Sequence, residues 1–169
     1  MKQFKKVGVV VLLFLAITSY VNAQSKVAHI NVTELLGQMP EMIAAQAELK
    51  KLQETYRADI ESSMTELKNK YTQYSNEAAT KSEEENQKRA QELQGFEKNI
   101  GEAQQAAQQE LAKKQAELFE PISVKAKAAI EKVAAAQGYD YVVDATQGGG
   151  LIVANGRDLL PEVKQELGF

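Results

Sequence analysis

The longest regular pattern in this chain is a stripe of apolar residues that recurs every three or four positions between residues 41 and 137. The stretch has very little Gly or Pro and is rich in Ala, Glu, Gln, Lys and Leu, which lose little on entering a helix. The other faces are charged or amidic, so the stripe predicts a coiled-coil seam rather than a helix buried in a globular core. Its two runs are Leu49, Leu52, Tyr56, Ile60, Met64, Leu67, Tyr71, Tyr74 and Ala78, then Leu93, Phe96, Ile100, Ala103, Ala107, Leu111, Leu118 and Ile122.

A polar gap separates the two runs. Between Lys81 and Glu92 the only apolar residue is Ala90, so a continuous seam would be unsupported there. We therefore expect an antiparallel helical hairpin with a charged tip near residues 81–90 and arms about 60 Å long. Folding near residue 84 pairs the stripe in one register: Tyr74 with Phe96, Tyr71 with Ile100, Met64 with Ala107, Ile60 with Leu111, Leu52 with Leu118 and Leu49 with Ile122. The alternative is one uninterrupted helix in a parallel coiled coil.

The first 23 residues have the pattern of a signal peptide. Three lysines lie within residues 1–6, residues 7–17 are apolar, and Val21-Asn22-Ala23 is a small-residue cleavage site. We expect cleavage after Ala23 and export of a soluble protein; an uncleaved membrane anchor is the alternative. The chain has no cysteine, so neither a lipidated cysteine nor a disulfide is available.

Short apolar strands are predicted on both sides of the hairpin, at Lys26–Val32, Tyr139–Asp144 and Leu151–Ala154. A helical turn at Thr33–Gln38 and an amphipathic helix at Asp158–Leu167 complete the prediction. Capping and turn residues set the boundaries: Thr33 and Asp158 as N-caps, Pro40 and Pro161 in first turns, and Gly138 and Gly168 at helix C-termini.

The predicted fold class is α+β, mainly α: a long antiparallel helical hairpin (coiled coil) inserted in a small β-sheet oligomerisation body with a C-terminal helix. Residues 24–40 and 138–169 would form the body and residues 41–137 the arm. A body of about fifty residues is too small to be stable alone, and its sheet edges would pair readily with other subunits. The predicted subunit contacts are Ala28, Ile30, Val142, Val143, Leu151 and Val153.

The mature chain is acidic. Three of the 20 Lys and Arg residues lie in the first 23 positions and all 23 Asp and Glu residues lie beyond them, so 17 cations against 23 carboxylates give a net charge of −6. The sequence contains no clustered basic stripe, and nucleic acid is therefore not expected as a partner.

The sequence contains no motif for catalysis, a cofactor or a metal. His29 is the only histidine and there is no thiol, which excludes a histidine-based metal cluster and a cysteine nucleophile. We expect His29 to be structural and Asp140 and Asp144 to cap turns or face solvent. Gly148–Gly150 lacks the Lys-Ser/Thr of a phosphate-binding loop, and Glu83–Glu85 lacks the ligand spacing of a calcium loop.

Three segments resemble the Skp (OmpH-like) family of periplasmic chaperones: KVAHINVTELL at Lys26–Leu36, AIEKVAAAQGYDYVVDAT at Ala129–Thr146 and DLLPEVKQEL at Asp158–Leu167. The resemblance covers essentially the whole mature chain and implies a periplasmic homotrimer with a joint β-structured body and three hairpins around a cavity. It implies an ATP-independent holdase, without cofactors, for unfolded outer-membrane β-barrel proteins. Well-known members are strongly basic, whereas this chain is acidic, which argues against a basic lipopolysaccharide site; peripheral membrane or lipid contact stays open.

A holdase without ATP needs many weak, reversible contacts. Several arms on one body would supply them by multivalency, and Met and aromatic side chains near the seam would supply adaptable apolar contact. The candidate client contacts are Met64, Tyr71, Tyr74, Phe96 and Phe119; alternatively, these side chains only pack the coiled coil.

Pro121 lies inside the second predicted long helix, where proline removes a hydrogen bond and crowds a carbonyl. It is a candidate hinge for the arm, and a static bend is the alternative.

The functional class that competes with a holdase is a structural periplasmic spacer or adaptor that docks to one defined partner. An exported enzyme is a third class.

Overall fold

A computed structural model describes residues 25–169, which form two compact units. One unit comprises residues 33–128, and the other comprises residues 25–32 together with 129–169. The predicted signal peptide lies outside the described residues. The elements are β1 Val27–Ile30, α1 Val32–Gln38, α2 Pro40–Glu77, a 3₁₀ turn Ala78–Thr80, α3 Glu83–Gln137, β2 Tyr141–Asp144, β3 Arg157–Asp158 and α4 Leu160–Leu167.

The fold class is confirmed: it is mainly helical, with a long hairpin, a small sheet and a C-terminal helix. In the unit of residues 33–128, α2 and α3 run antiparallel as the hairpin. Helix α2 begins at Pro40, as predicted, because the first helical position needs no amide hydrogen. Met39 is extended, with φ −67° and ψ 125°, the conformation that the following proline favours.

A compact turn joins the two long helices. Helix α2 ends at Glu77 and α3 begins at Glu83. The Ser82 Oγ accepts a hydrogen bond of 3.2 Å from the Glu85 amide, and the acidic first turn of α3 suits the positive end of the helix dipole. The Asn86 side-chain amide donates to the Ala78 carbonyl at 2.9 Å. The turn is therefore shorter than the predicted tip of residues 81–90, most of which belong to α3.

The register of the hairpin differs from the predicted one, which was wrong. Ion pairs across the seam join Lys70 to Glu92 at 2.8 Å and Lys114 to Glu48 at 2.9 Å, so partner numbers add to 162. The pair of Lys125 with Glu41 adds to 166. The predicted pairs add to 170 or 171, so the two registers differ by a slide of about one to two helical turns. Because such a slide returns the same apolar stripe to the seam, periodicity alone cannot distinguish the two registers.

In the second unit the strands form a parallel sheet of order β2-β1-β3. Val27 lies beside Tyr141 and Ile30 beside Asp144, while Ala28 lies beside Arg157. The connection from β1 to β2 passes through helices, as parallel strands require. The residues of this unit that are buried are Ala28, Ile30, Ala129, Val133, Ala134, Leu159 and Val163.

The third strand predicted at Leu151–Ala154 is wrong, because β3 lies at Arg157–Asp158. The chain enters the predicted segment through Gly148 and Gly150, which have φ of 87° and 92°. Ile152 is 96% exposed. β-branched residues form a strand only where another strand offers its edge, and this segment pairs with none among residues 25–169.

Several helix ends match the predicted signals. Gly138 has φ 70°, and Gly168 has φ 87° and donates its amide hydrogen to the Lys164 and Gln165 carbonyls. Thr33 was predicted as an N-cap, but α1 begins one residue earlier, so that prediction is wrong. The Val32 amide donates instead to the Asp144 Oδ1 at 3.3 Å.

No helix within residues 25–169 combines the length and apolar character that crossing a bilayer requires.

Candidate functional site

Two of the five predicted client contacts lie open on the hairpin. Met64 is 53% exposed and Tyr71 is 64% exposed. Both are on α2, whose other exposed positions are mainly charged or amidic. A flexible thioether and an aromatic ring in such surroundings offer isolated apolar contact to another polypeptide without making the arm itself insoluble.

Tyr74 and Phe96, by contrast, are half-buried in a cluster that ties the two helices together near the turn. The Tyr74 hydroxyl donates to the Glu92 carboxylate at 2.7 Å, and Lys70 pairs with the same carboxylate at 2.8 Å. The Lys70 ammonium lies 5.0 Å from the Phe96 ring centre, and the Arg89 guanidinium lies 4.5 Å from that of Tyr74. These two aromatic residues thus pack the hairpin.

The charges of this cluster shift one another's pKa values. Hydrogen bonds from Lys70 and then Tyr74 lower the pKa of Glu92 below its usual 4.5. The hydrogen bond to Glu92 raises the pKa of Lys70 and that of Tyr74 above their ordinary values. The carboxylate therefore stays ionised, and the lysine and the phenol stay protonated, over a wide range of pH.

Grooves flank the seam halfway along the hairpin. One of about 460 Å³ is lined by Tyr56, Ile60, Phe96, Ile100, Ala103 and Ala107, together with Asp59, Ser63, Asn99, Ala106 and Glu110. Another of about 500 Å³ includes Arg57, Glu61, Met64, Gln104 and Leu111. They form because α3 presents alanines opposite the larger side chains of α2. Sequence reasoning missed these grooves, although the small residues Gly101, Ala103, Ala106 and Ala107 were the signal for them.

Phe119 lines a third groove of about 390 Å³, beside Leu49 and Leu111. Its side chain is half-buried, so it contributes to packing and still borders open space. Pro121 lies two residues further on, inside α3, and is exposed. The helix continues through this proline to Gln137, and the hinge stays a prediction.

The predicted subunit contacts divide into two groups in the sheet unit. Ala28 and Ile30 are each 1% exposed, so they are covered within one chain and offer no surface to another. The apolar residues that remain accessible are Val142, which is half-buried, Val143 and Leu151, both 38% exposed, and Val153, 64% exposed. In the sheet formed by the described residues β2 lies at an edge, where a strand can take a further partner.

The two aspartates at the ends of β2 hold the backbone. The Asp140 Oδ2 accepts from the Lys26 amide at 2.9 Å. The Asp144 Oδ1 accepts from the Thr146 amide at 2.9 Å and from its hydroxyl at 2.7 Å, and the Thr146 side chain lowers the pKa of this carboxyl. Among residues 25–169, no three His, Cys, Asp or Glu side chains are grouped so as to hold a metal ion.

The chain combines a long helical hairpin in one unit with a small parallel sheet in the other, and it matches a known family. The model of the family described as outer membrane protein (OmpH-like) matches residues 26–167. The chain therefore belongs to the OmpH-like family of outer-membrane-protein chaperones, which are not enzymes. The resemblance found in the sequence is thus confirmed.

Individual relatives agree with this assignment. The chain is similar to the chaperone protein Skp of Pectobacterium atrosepticum, with 24% identity over 155 residues that cover 92% of this chain and 93% of the relative. Its fold is similar to the crystal structure of an OmpH-like outer membrane chaperone from Caulobacter crescentus CB15. That match has a TM-score of 0.74 at 18% identity and covers 86% of this chain and 85% of the other.

Proposed function

We propose that this protein is an ATP-independent periplasmic holdase that binds unfolded outer-membrane β-barrel proteins between its helical arms and prevents their aggregation. The observation that carries the proposal is the exposure of Met64 and Tyr71, 53% and 64%, on a helix whose other exposed positions are mainly charged or amidic. Membership of a family of outer-membrane-protein chaperones supports it.

The hairpin suits a chaperone that works without an energy source. Each exposed apolar side chain, and each groove along the seam, makes a weak contact that a client can leave without ATP. Several arms acting on one client raise the overall affinity through effective concentration. The charged and amidic faces of α2 and α3 would keep the loaded complex in solution.

A homotrimer would supply those arms, and the sheet unit carries the surface for it. Val143, Leu151 and Val153 are accessible in the single chain, and Ile152 beside them is 96% exposed. Such a run of apolar side chains next to a sheet edge is typical of a subunit interface. We propose that the segment of residues 151–154 packs against a second copy of the chain.

The test is suppression of aggregation. An outer-membrane β-barrel protein unfolded in urea is diluted into buffer with the mature chain, and light scattering is followed. We expect scattering to be suppressed near a stoichiometric ratio, and suppression to weaken in the Met64→Gln/Tyr71→Gln variant. The matched control is Thr65→Gln/Thr72→Gln, which alters exposed neighbours on the same helix. If the wild-type chain leaves scattering unchanged for several clients, the protein is instead a spacer or adaptor for one partner.

A further inference from the structure

The groove of about 460 Å³ has a floor and a margin of different chemistry. Its floor is apolar: Ile100 and Ala107 are 9% and 7% exposed, and Ile60 and Phe96 are half-buried. Asp59 on α2 and Glu110 on α3 also line it, and both are exposed. Among the described residues that line this groove, none is Lys or Arg. We refer to it as the acidic groove.

The surrounding part of the hairpin has the same sign of charge. Residues 52–67 and 95–110 contain seven carboxylates against two cations, Arg57 and Lys98. Lys98 pairs with Glu102 at 3.6 Å. Arg57 and Glu61 both line the neighbouring groove. In the middle of the arm, the acidic groove therefore carries a net negative charge, whereas the neighbouring groove has both Arg57 and Glu61 in its lining.

An apolar floor with carboxylates at its margin determines which side chains the acidic groove can bind. An apolar floor takes aliphatic or aromatic side chains, whereas the carboxylates attract cations and repel other carboxylates, which affects specificity more than total affinity. We infer that the acidic groove binds unfolded polypeptide segments in which an aliphatic or aromatic residue is flanked by lysine or arginine. The inference rests on the proposed holdase function and names the client segments that the arm prefers.

Unfolded barrel strands present such segments naturally. Their sequences alternate apolar and polar residues with a period of two, so an apolar side chain directed to the floor has polar neighbours on either side in sequence. Where those neighbours are lysine or arginine, Asp59 and Glu110 stabilise the complex. Where they are aspartate or glutamate, the same two residues oppose it.

The experiment compares two short fluorescein-labelled peptides with identical apolar residues, one carrying lysines and the other glutamates at the polar positions. Each is titrated with the mature chain, and binding is read from fluorescence anisotropy. At low salt we expect the lysine peptide to bind about fivefold to tenfold more tightly, from two exposed ion pairs. The difference should vanish at about 1 M salt, where the screening length is about 3 Å.

Variants locate the effect. Asp59→Asn/Glu110→Gln should remove the preference, whereas Glu83→Gln/Glu84→Gln, which removes the same charge at the turn, should retain it. Ala103→Leu fills the groove with a residue of similar helix propensity and should weaken both peptides, whereas Ala112→Leu, outside the groove lining, should weaken neither. Helical content measured by circular dichroism shows that each variant is folded.

The peptide titrations and the aggregation assay together distinguish failure of the acidic groove from failure of the holdase function. Equal affinity for the two peptides, or a preference that survives Asp59→Asn/Glu110→Gln, overturns the acidic groove even if the chain suppresses aggregation. A chain that shows the lysine preference and loses it in the variant, yet suppresses no aggregation, keeps the groove as a peptide site and overturns the holdase.

Discussion

Tyr74 on α2 and Glu92 on α3 are joined by a hydrogen bond of 2.7 Å from the phenol to the carboxylate. The contact lies across the hairpin and close to its turn, and Lys70 pairs with the same carboxylate at 2.8 Å. Three side chains thus fix the register where the chain reverses. Tyr74→Phe removes only the hydroxyl and should lower the thermal unfolding midpoint, whereas Tyr71→Phe, at an exposed ring, should leave it unchanged. Equal midpoints for the two variants would contradict this role.

The acid stability of the hairpin should depend on Glu92. The pKa of this carboxyl is lowered in the folded chain, mainly by Lys70, so the unfolded chain binds its proton more readily. Its stabilising contribution is therefore present above the unfolded value of 4.5 and is lost as the pH falls through the lower folded value. Urea unfolding of Glu92→Gln between about pH 2 and 6 should show a shallower rise in stability than that of the wild type. A parallel rise in both proteins would rule out this contribution.

The observed register can be tested by exchanging charges. Lys114 and Glu48 are 2.9 Å apart, and Glu48 raises the pKa of Lys114. Lys114→Glu should lower the unfolding midpoint because it places two carboxylates together. The double variant Glu48→Lys/Lys114→Glu should recover most of the loss. The predicted register would place Lys114 opposite residues 56 and 57, and recovery by Glu48→Lys is not expected there.

Ser82 should anchor the start of α3. Its hydroxyl oxygen accepts from the Glu85 amide at 3.2 Å, and loss of such an N-cap costs about 1 kcal/mol. We expect Ser82→Ala to reduce the free energy of unfolding by about that amount in a urea titration. Ser62→Ala, at an exposed position within α2, serves as the control and should not reduce it. A reduction of the same size in Ser62→Ala would remove the capping explanation.

The proposed subunit interface predicts that an aspartate at an exposed position prevents assembly, whereas an aspartate at a buried position prevents folding. Val153 is 64% exposed in the single chain and Ala28 is 1% exposed. Val153→Asp should give folded monomers in sedimentation, with helical content retained, because the change affects only the contact between copies. Ala28→Asp should instead unfold the sheet unit. A trimer that persists in Val153→Asp would show that the interface lies elsewhere.

Pro121 provides a test of arm flexibility. Proline inside a regular helix costs about 3 kcal/mol, so Pro121→Ala should stabilise α3. If the proline is a hinge, spin labels at Asn86 in the assembled protein should show a narrower distance distribution in the variant. Large clients should also be held less well than small ones. An unchanged distribution with unchanged client capacity would identify Pro121 as a static bend.

The sequence predicted those features that depend on local chemistry. Pro40 begins α2, and Gly138 and Gly168 adopt the positive φ angles expected of helix C-termini. The long helices follow from composition and periodicity in the same way. These signals are local because capping and backbone restriction act within one or two turns of the residue concerned.

Features that depend on which helix or strand packs against another could not be predicted from the sequence. The register was wrong because a slide of about one to two turns keeps the same stripe in the seam. The strand at Leu151–Ala154 was wrong because its composition says nothing about whether an edge is available. Ala28 and Ile30 were assigned to a subunit contact, although the chain covers them itself. The acidic groove was missed because it depends on which alanines face Ile60.

The parallel sheet also determines the order in which the parts of the chain can fold. Strand β1 is central, and its register partners Tyr141 and Arg157 lie more than a hundred residues further along the chain. Contacts so distant in sequence form slowly, because a long loop must first close. A chain that crosses a membrane with its N-terminus first exposes β1 long before either neighbour arrives. We expect the hairpin, with its local contacts, to fold first, and β1 to remain unpaired until nearly all of the polypeptide has been delivered.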